Sequence, residues 1–288
     1  MGYIIRQWEK EKDYNISFVY NRFDLIYENN NYILTSDDDI SIVIPVHVEG
    51  KNAFAGLWLA DISTSLCKSI FDYILNYFEL DSISYKNSIC AVGKYSISNQ
   101  WKILLPEAPD ELFARLKKKG KYNLRREEKL LNEEHGSCHY YEYSDIPEEI
   151  VKEYFIQKKE NMGTEYEMTP YEYIKEFHVT NGYVMKINDD IISVLFSCEQ
   201  TRFVYLENLS YKKEYAKYSC GFLLYTYFLN TLISKGKAGV YLGDGHQQYK
   251  TRYGAVEQET YNGTYFKNKS KELEYFVKRN IKNRLFRK

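Results

Sequence analysis

The chain has 288 residues, which is enough for one large domain or two compact ones. Hydrophobic residues make up 44% and charged residues 27%, a composition that excludes an intrinsically disordered chain. The 39 Lys and Arg nearly balance the 40 Asp and Glu, so the surface as a whole is not an electrostatic footprint for nucleic acid.

Other protein classes are excluded by what the sequence lacks. No run of about 18 apolar residues is present, so we expect no membrane-spanning helix. The first ten residues do not have the order of a secretory signal. The five cysteines are scattered and form no Cys-x-x-Cys pair, which favours reduced thiols over a disulfide framework. We therefore expect a cytoplasmic protein without a bound metal.

The first hundred residues alternate in the manner of paired strands. The pattern predicts strands over 17–27, 32–35 and 40–48 and a helix over 65–78. Strand-like sequence continues to Leu105, and two prolines then mark a break. Residues 1–105 are therefore predicted to form a first domain.

The second part of the chain mixes helical and strand patterns. They predict helices over 110–133, from Pro147, over 170–177 and over 221–235, and strands over 137–143, 182–188, 191–198, 201–209 and 240–242. The three long strands follow one another as an antiparallel meander. We assign residues 106–265 to this second domain, an α+β unit with a mixed sheet.

Three motifs in this part stand in a fixed order. They are the basic segment Lys121–Lys129, the segment Tyr215–Leu224 that enters a helix, and the segment Val240–Ala255. The last contains Gly243-Asp244-Gly245 directly after a strand, then Tyr249-Lys250, and then an aromatic residue followed by glycine.

These motifs resemble those of the CelD/BcsL-type acetyltransferases, which are related to the Fem-type aminoacyltransferases. The resemblance implies the acyl-CoA N-acyltransferase (GNAT) fold in two tandem halves, of which the N-terminal half is degenerate. It also implies transfer of an acetyl group from acetyl-CoA to an amine or hydroxyl of a sugar or exopolysaccharide precursor. The chain departs from the family at Tyr241, Asp244 and His246, where Asp, Arg and an acidic residue are usual.

A helix N-terminus provides the backbone N–H groups that bind a pyrophosphate. The resemblance implies this site at Lys217, Ser219, Cys220 and Gly221, although Gly221 would serve equally as an ordinary helix-start glycine. A backbone N–H near Leu206 would polarise the thioester carbonyl.

Three side chains are candidates for proton transfer. Glu207 and His246 are alternative general bases, and each would otherwise be a solvated side chain. Tyr249 has the family position of the tyrosine that protonates the departing thiolate, although it is one of 30 tyrosines. Asp244, Lys250 and Arg252 are predicted to contact substrate.

A predicted basic helix carries Arg125 and Arg126, which we assign to substrate phosphates. The same charges would form an ordinary solvated face, or bind an aminoacyl-tRNA in a Fem-like transferase. The segment 266–288 is predicted to be a basic amphipathic helix, either packed on the protein or lying on an anionic membrane. A protein without catalytic activity that binds a membrane or nucleic acid is the remaining alternative.

Overall fold

Two compact units make up the chain in the computed structural model, which describes residues 3–7, 31–36, 43–56, 62–177, 179–199, 203–244 and 248–285. Unit 1 comprises residues 1–99 and 259–288, and unit 2 comprises residues 100–258. Compactness alone does not test the predicted domain boundaries at 105/106 and 265/266, which stay predictions.

The helices and strands follow one another in the order given next. They are β1 Tyr3–Gln7, β2 Asn31–Ser36, β3 Val43–Glu49, β4 Asn52–Ala55, α1 Thr64–Tyr77, β5 Ser82–Ser88, β6 Lys94–Leu104, α2 Pro109–Ala114, α3 Lys118–His135, β7 Cys138–Tyr143, α4 Glu148–Met162, α5 Pro170–Glu176, β8 Asn181–Ile187, β9 Asp190–Glu199, β10 Phe203–Tyr211, a 3-10 helix Lys213–Tyr218, α6 Cys220–Ser234, β11 Gly239–Tyr241, α7 Gln248–Arg252, β12 Val256–Phe266 and α8 Lys269–Leu285.

The described part of unit 1 is a sheet against which helix α1 packs. Its strand order is β1-β2-β3-β4-β5-β12-β6. Helix α1 begins where the Ser63 hydroxyl accepts a hydrogen bond from the Leu66 N–H at 3.2 Å. Its buried side chains join those of the sheet in one core. The structure confirms the predicted strand at 32–35 and helix at 65–78, while the predicted strand at 17–27 lies outside the described residues.

Unit 2 is a mixed sheet between two layers of helices. Its strand order is β6-β11-β10-β9-β8-β7, and the pair β10–β11 is parallel. Alternate residues of a strand point to opposite faces. On β8, Tyr183 and Met185 join a core shared with α3 and α6, whereas Val184 joins a core shared with α4 and α5. The unit therefore has the predicted α+β class.

The predicted helix over 110–133 is wrong in one respect, because the chain forms two helices there. Helix α2 ends at Ala114 and α3 begins at Lys118. Lys117 between them is extended, with φ −61° and ψ 153°. No glycine or proline marks this break, which is why periodicity did not reveal it.

The sequence made two further predictions, one about the cysteines and one about membrane-spanning helices. All five cysteines are free, as the sequence predicts. Within the described ranges, no helix is long and apolar enough to cross a bilayer.

Two carboxylates and a lysine join the end of α6 to the sheet. Lys235 contacts Glu142 on β7 and lies 3.0 Å from Glu199 Oε1 on β9. The buried Tyr183 hydroxyl lies 3.0 Å from Glu142 Oε1 and 2.5 Å from Glu199 Oε1, so the two carboxylates share its one proton. Burial opposes ionisation of Glu142, but the hydrogen bonds from Lys235 and Tyr183 lower the pKa of its carboxyl.

Replacing Lys235 with Met removes the cation that contacts both carboxylates, and leaves Lys237 3.7 Å from Glu199 Oε2. We expect the free energy of unfolding at pH 7 to fall by about 1–3 kcal/mol. Because the folded-state pKa of Glu142 is lowered, its contribution is present above the ordinary value of 4.5 and is lost as the pH falls below it. The difference in the free energy of unfolding between the variant and the wild type therefore becomes smaller as the pH is lowered.

Urea unfolding at pH 7 and pH 4 measures this difference. Lys152→Met is the control, because its ion pair with Glu148 is solvent-exposed and its removal should cost well under about 1 kcal/mol. An equal destabilisation of Lys235→Met at both pH values would contradict the electrostatic explanation.

Candidate active site

The parallel pairing of β10 with β11 is short, and a gap opens where it ends. The register runs only from Phe203–Gly239 to Tyr205–Tyr241. Beyond it the chain after β11 stays with β6, since the Leu242 N–H donates to the Trp101 carbonyl at 2.8 Å. Strand β10 instead continues alongside β9. The two central strands therefore diverge, and we call the space between their ends the splay.

A β-bulge on β10 lies at the beginning of the splay. Leu206 pairs with Ser197 and Asn208 pairs with Phe196, so the register with β9 skips Glu207. A bulge re-aims both the side chain and the backbone amide of the extra residue. Two predicted site residues, the buried Leu206 and the half-buried Glu207, thus lie at the point where the sheet opens.

The Tyr173 hydroxyl of α5 lies beside this bulge, and the rings of Tyr154 on α4 and Tyr166 in the connecting loop pack against Tyr173. The Asn208 side-chain amide donates to the Tyr173 hydroxyl at 2.9 Å, and the Tyr154 and Tyr166 hydroxyls are 3.0 Å apart. Burial raises the pKa of Tyr173, and the nearby carboxylate of Glu207 raises it further. These tyrosines are a part of the site that the sequence did not reveal, because nothing distinguishes them among the 30.

The chain enters α6 through a turn with an unusual backbone. The 3-10 helix ends at Tyr218, and Ser219 follows in the left-handed region at φ 53°. Ser219 is not a glycine, so this conformation is strained. The Ser219 N–H donates back to the Ala216 carbonyl at 3.1 Å, so the N–H groups that begin α6 are those of Cys220 and Gly221. The positive end of the helix dipole lies there and favours an anion.

Contacts of the predicted anion-site residues refine their roles. The Lys217 ammonium lies 3.0 Å from Glu134 Oε2 and 4.5 Å from the centre of the Tyr218 ring, so it is paired at the surface. Burial raises the pKa of the Cys220 thiol to about 12, which leaves it protonated. A Cβ on Gly221 would lie 3.0 Å from the Tyr211 ring, so this glycine lets α6 pack closely on β10.

A hydrogen-bonded cluster holds the turn against the end of α3. The Tyr218 hydroxyl donates to Glu134, and His135 Nε2 lies 2.9 Å from the same hydroxyl oxygen. The hydrogen bonds from Tyr218 and Lys217 lower the pKa of Glu134. The cluster thereby fixes the segment that precedes Ser219.

A groove of about 520 Å³ extends from this turn along the start of α3, and we call it the basic groove. Its cations come from the break between α2 and α3, from α3 itself and from α7: Arg115, Lys117, Lys119 and Arg252. Ser219 lines the same groove, and Glu127 is the one carboxylate among the described lining residues. Four cations beside a helix N-terminus favour a phosphate-bearing ligand.

Helix α7 carries the predicted proton donor. The Tyr249 ring is half-buried and meets the Tyr225 ring edge-on, with 5.2 Å between the ring centres. Burial raises the pKa of Tyr249 to about 12, so its hydroxyl keeps its proton at neutral pH. Among the described residues, nothing lies within hydrogen-bond distance of the Tyr225 hydroxyl.

Lys250 fixes α7 to the end of β11. Its side chain is buried, and its ammonium donates to the Gly243 carbonyl at 3.3 Å. Burial lowers the pKa of Lys250, while the Asp244 carboxylate opposes that change. Lys250 thereby links α7 to the end of β11, and it does not line the basic groove, unlike Arg252. Its contact with substrate stays a prediction. His246 lies outside the described residues.

Two predicted substrate-binding residues lie elsewhere on α3. Arg125 is exposed, stacks 5.0 Å from the Phe113 ring centre and borders a shallow surface hollow of about 400 Å³. Arg126 is exposed and stacks on Tyr122. Neither lines the basic groove. Over the described part of the chain, no three His, Cys, Asp or Glu side chains come together as metal ligands would.

The comparisons with known proteins agree with this geometry. Residues 118–251 match the acetyltransferase (GNAT) domain family. This range contains the splay, the N-terminus of α6 and Tyr249, and unit 2 therefore has the GNAT fold. No curated protein matches the chain in sequence. The narrower resemblance to the CelD/BcsL type stays a prediction.

Solved structures resemble the chain over most of its length. FemX has a TM-score of 0.59 at 8% identity, covering 90% of this chain and 96% of its own. The C-terminal domain (DUF2156) of a putative lysylphosphatidylglycerol synthetase from Agrobacterium fabrum has a TM-score of 0.52 at 10% identity, covering 89% and 91%. L-PGS from Bacillus licheniformis has a TM-score of 0.50 at 12% identity, covering 83% and 85%. Identities this low show a common fold alone.

Proposed function

We propose that unit 2 transfers an acetyl group from acetyl-CoA to an amine or hydroxyl of a sugar or cell-envelope precursor. The observation that carries the proposal is the splay, because it opens at a bulge beside a helix N-terminus and a groove lined by cations. An acyl-CoA has the complementary parts, namely a thioester at one end and phosphates at the other.

The donor would be held by its phosphates. The diphosphate would lie at the N–H groups that begin α6, those of Cys220 and Gly221, where the helix dipole is positive. The remaining phosphate charge would meet the cations of the basic groove, of which Arg252 is exposed and stacks on Phe222 at 4.4 Å. This arrangement directs the thioester towards the splay.

The chemistry then needs three groups around the thioester carbon. Glu207 would take the proton of the attacking amine or hydroxyl, and the amide at the bulge would hold the carbonyl oxygen as negative charge develops on it. The carbon–sulfur bond breaks, and the Tyr249 hydroxyl gives its proton to the departing thiolate. Solvent returns a proton from Glu207 to Tyr249. His246 is the alternative base.

The acceptor would approach from the tyrosine side of the splay. The half-buried Tyr166 and Asn208 offer a hydroxyl and an amide there. Such groups match the hydroxyls of a sugar, which supports the carbohydrate acceptor that the motif resemblance implies.

A second donor, an aminoacyl-tRNA, is favoured by one observation. The cations Lys117, Lys118, Lys119, Arg125 and Arg126 are all exposed around α3. A polyanionic donor would contact this whole surface, and its binding would weaken steeply with salt. Acetyl-CoA needs only the part that lines the basic groove.

Reversing the charge of one cation in the basic groove tests whether the donor is acetyl-CoA or an aminoacyl-tRNA. We expect Arg252→Glu to raise the Kd for acetyl-CoA about 10- to 100-fold in isothermal titration calorimetry, because a charge-assisted contact becomes repulsive. Lys152→Glu, on the exposed face of α4, is the matched control and should bind as the wild type does. Arg126→Glu should leave acetyl-CoA binding nearly unchanged but would weaken binding of an aminoacyl-tRNA. If the protein binds an aminoacyl-tRNA and does not bind acetyl-CoA, the acetyl-CoA proposal is wrong.

A further inference from the structure

Helix α8 of unit 1 has an apolar stripe that the protein leaves exposed. Leu273 is 67% exposed, Phe276 36% and Val277 50%. Their spacing of three and four residues places them on one side of the helix. The sequence repeats the spacing at Ile281 and Leu285. A stripe packed on the body of the protein would be buried, and this one is not.

The base of α8 is nevertheless held firmly in unit 1. The Phe266 ring at the end of β12 lies 5.3 Å from the Tyr275 ring, centre to centre. The Lys271 ammonium lies 3.1 Å from Asp81 Oδ2, and Lys94 lies 3.4 Å from Glu272 Oε1. The exposed stripe is thus presented by a helix whose first turns are fixed.

The charge of this segment is opposite to that of the remaining chain. Residues 267–288 contain nine Lys or Arg and two Glu, a formal charge of +7. The whole chain carries −1, so the other 266 residues together carry −8. A partner that binds both the exposed apolar side chains and the positive charges of α8 must present hydrocarbon and anionic groups on the same surface.

We propose that α8 docks the protein on an anionic lipid bilayer, independently of the reaction in unit 2. The apolar stripe enters the boundary between headgroups and acyl chains, while the lysines and arginines meet the lipid phosphates. RNA would satisfy the charges but would provide no hydrocarbon for Leu273 and Val277. A neutral bilayer would provide hydrocarbon but no counter-charge.

Sedimentation of the full chain with lipid vesicles tests the proposal. We expect binding to vesicles of 30% phosphatidylglycerol in phosphatidylcholine, at least tenfold weaker binding to pure phosphatidylcholine, and loss of binding at 0.5 M salt. The double variant Leu273→Glu/Val277→Glu should bind the anionic vesicles at least tenfold more weakly. Ile97→Glu is the matched control, because Ile97 is 61% exposed on β6 of unit 1, and it should bind as the wild type does.

Three results would overturn the proposal. The first is equal binding of the wild type to both kinds of vesicle, and the second is undiminished vesicle binding by the double variant. The third is a wild-type protein that binds no vesicles but forms a dimer, which the double substitution dissociates. Retained acetyl-CoA affinity and circular dichroism show whether the double variant is folded. If it is not, the single variant Leu273→Ser, at the most exposed position of the stripe, makes the same comparison.

Discussion

Replacing Tyr249 with Phe is expected to lower kcat for acetyl transfer by about 10²–10⁴-fold, the usual contribution of a general acid. The variant loses the proton for the thiolate and keeps the ring, which packs against Tyr225. The KM for acetyl-CoA should change less than about twofold, because the substitution leaves the proposed phosphate sites at α6 and in the basic groove unchanged. Steady-state release of free thiol measures both constants.

Tyr225→Phe is the control for this substitution. It removes a hydroxyl from the neighbouring ring, but one that has no partner among the described residues. The variant should turn over at the wild-type rate and be more stable by about 1 kcal/mol, because a buried unsatisfied group is gone. The pKa of Tyr249 is about 12, so its hydroxyl stays protonated up to about pH 11. Below that pH, we expect no loss of kcat in the wild type from ionisation of Tyr249. Equal rates for Tyr249→Phe and Tyr225→Phe would remove Tyr249 from the mechanism.

Replacing Glu207 with Gln is expected to lower kcat by about 10²–10⁴-fold as well, here through loss of the general base. Glutamine keeps the size of the side chain and therefore the bulge, but it cannot accept the acceptor's proton. Raising the pH should restore part of the rate, because a larger fraction of an amine acceptor is then deprotonated without help.

His246→Ala decides between the two candidate bases. If Glu207 is the base, His246→Ala should retain kcat within about threefold, and Glu207→Gln should lose the limb of the pH profile that reports the base. Glu214→Gln changes an exposed carboxylate of the 3-10 helix and serves as the matched control. Loss of activity in His246→Ala with full activity in Glu207→Gln would reverse the assignment.

Periodicity and composition predicted the meander and the helix that follows it, because hydrophobic spacing records local structure. The order β8, β9, β10, α6, β11 was therefore readable from the residues. The bulge at Glu207 was not, because no glycine or proline marks it and it depends on pairing with β9.

Contacts between residues that are distant in the chain could not be predicted from the sequence either. Arg115 and Arg252 both line the basic groove, yet they are separated by the entire meander. The break between α2 and α3, which supplies Arg115 and Lys117, carries no local signal. The predicted substrate contact of Lys250 stays a prediction, while its burial and its hydrogen bond to Gly243 depend on the fold and carry no sequence signal.

The central claim is that the thioester of an acyl-CoA lies in the splay, and a crystal structure with a non-hydrolysable thioether analogue of acetyl-CoA tests it most directly. We expect the diphosphate at the N–H groups of Cys220 and Gly221, a phosphate among the cations of the basic groove, and the sulfur within hydrogen-bond reach of the Tyr249 hydroxyl. The carbonyl carbon should lie beside Glu207. An analogue bound away from α6, or a sulfur remote from Tyr249 with the splay empty, would contradict the account.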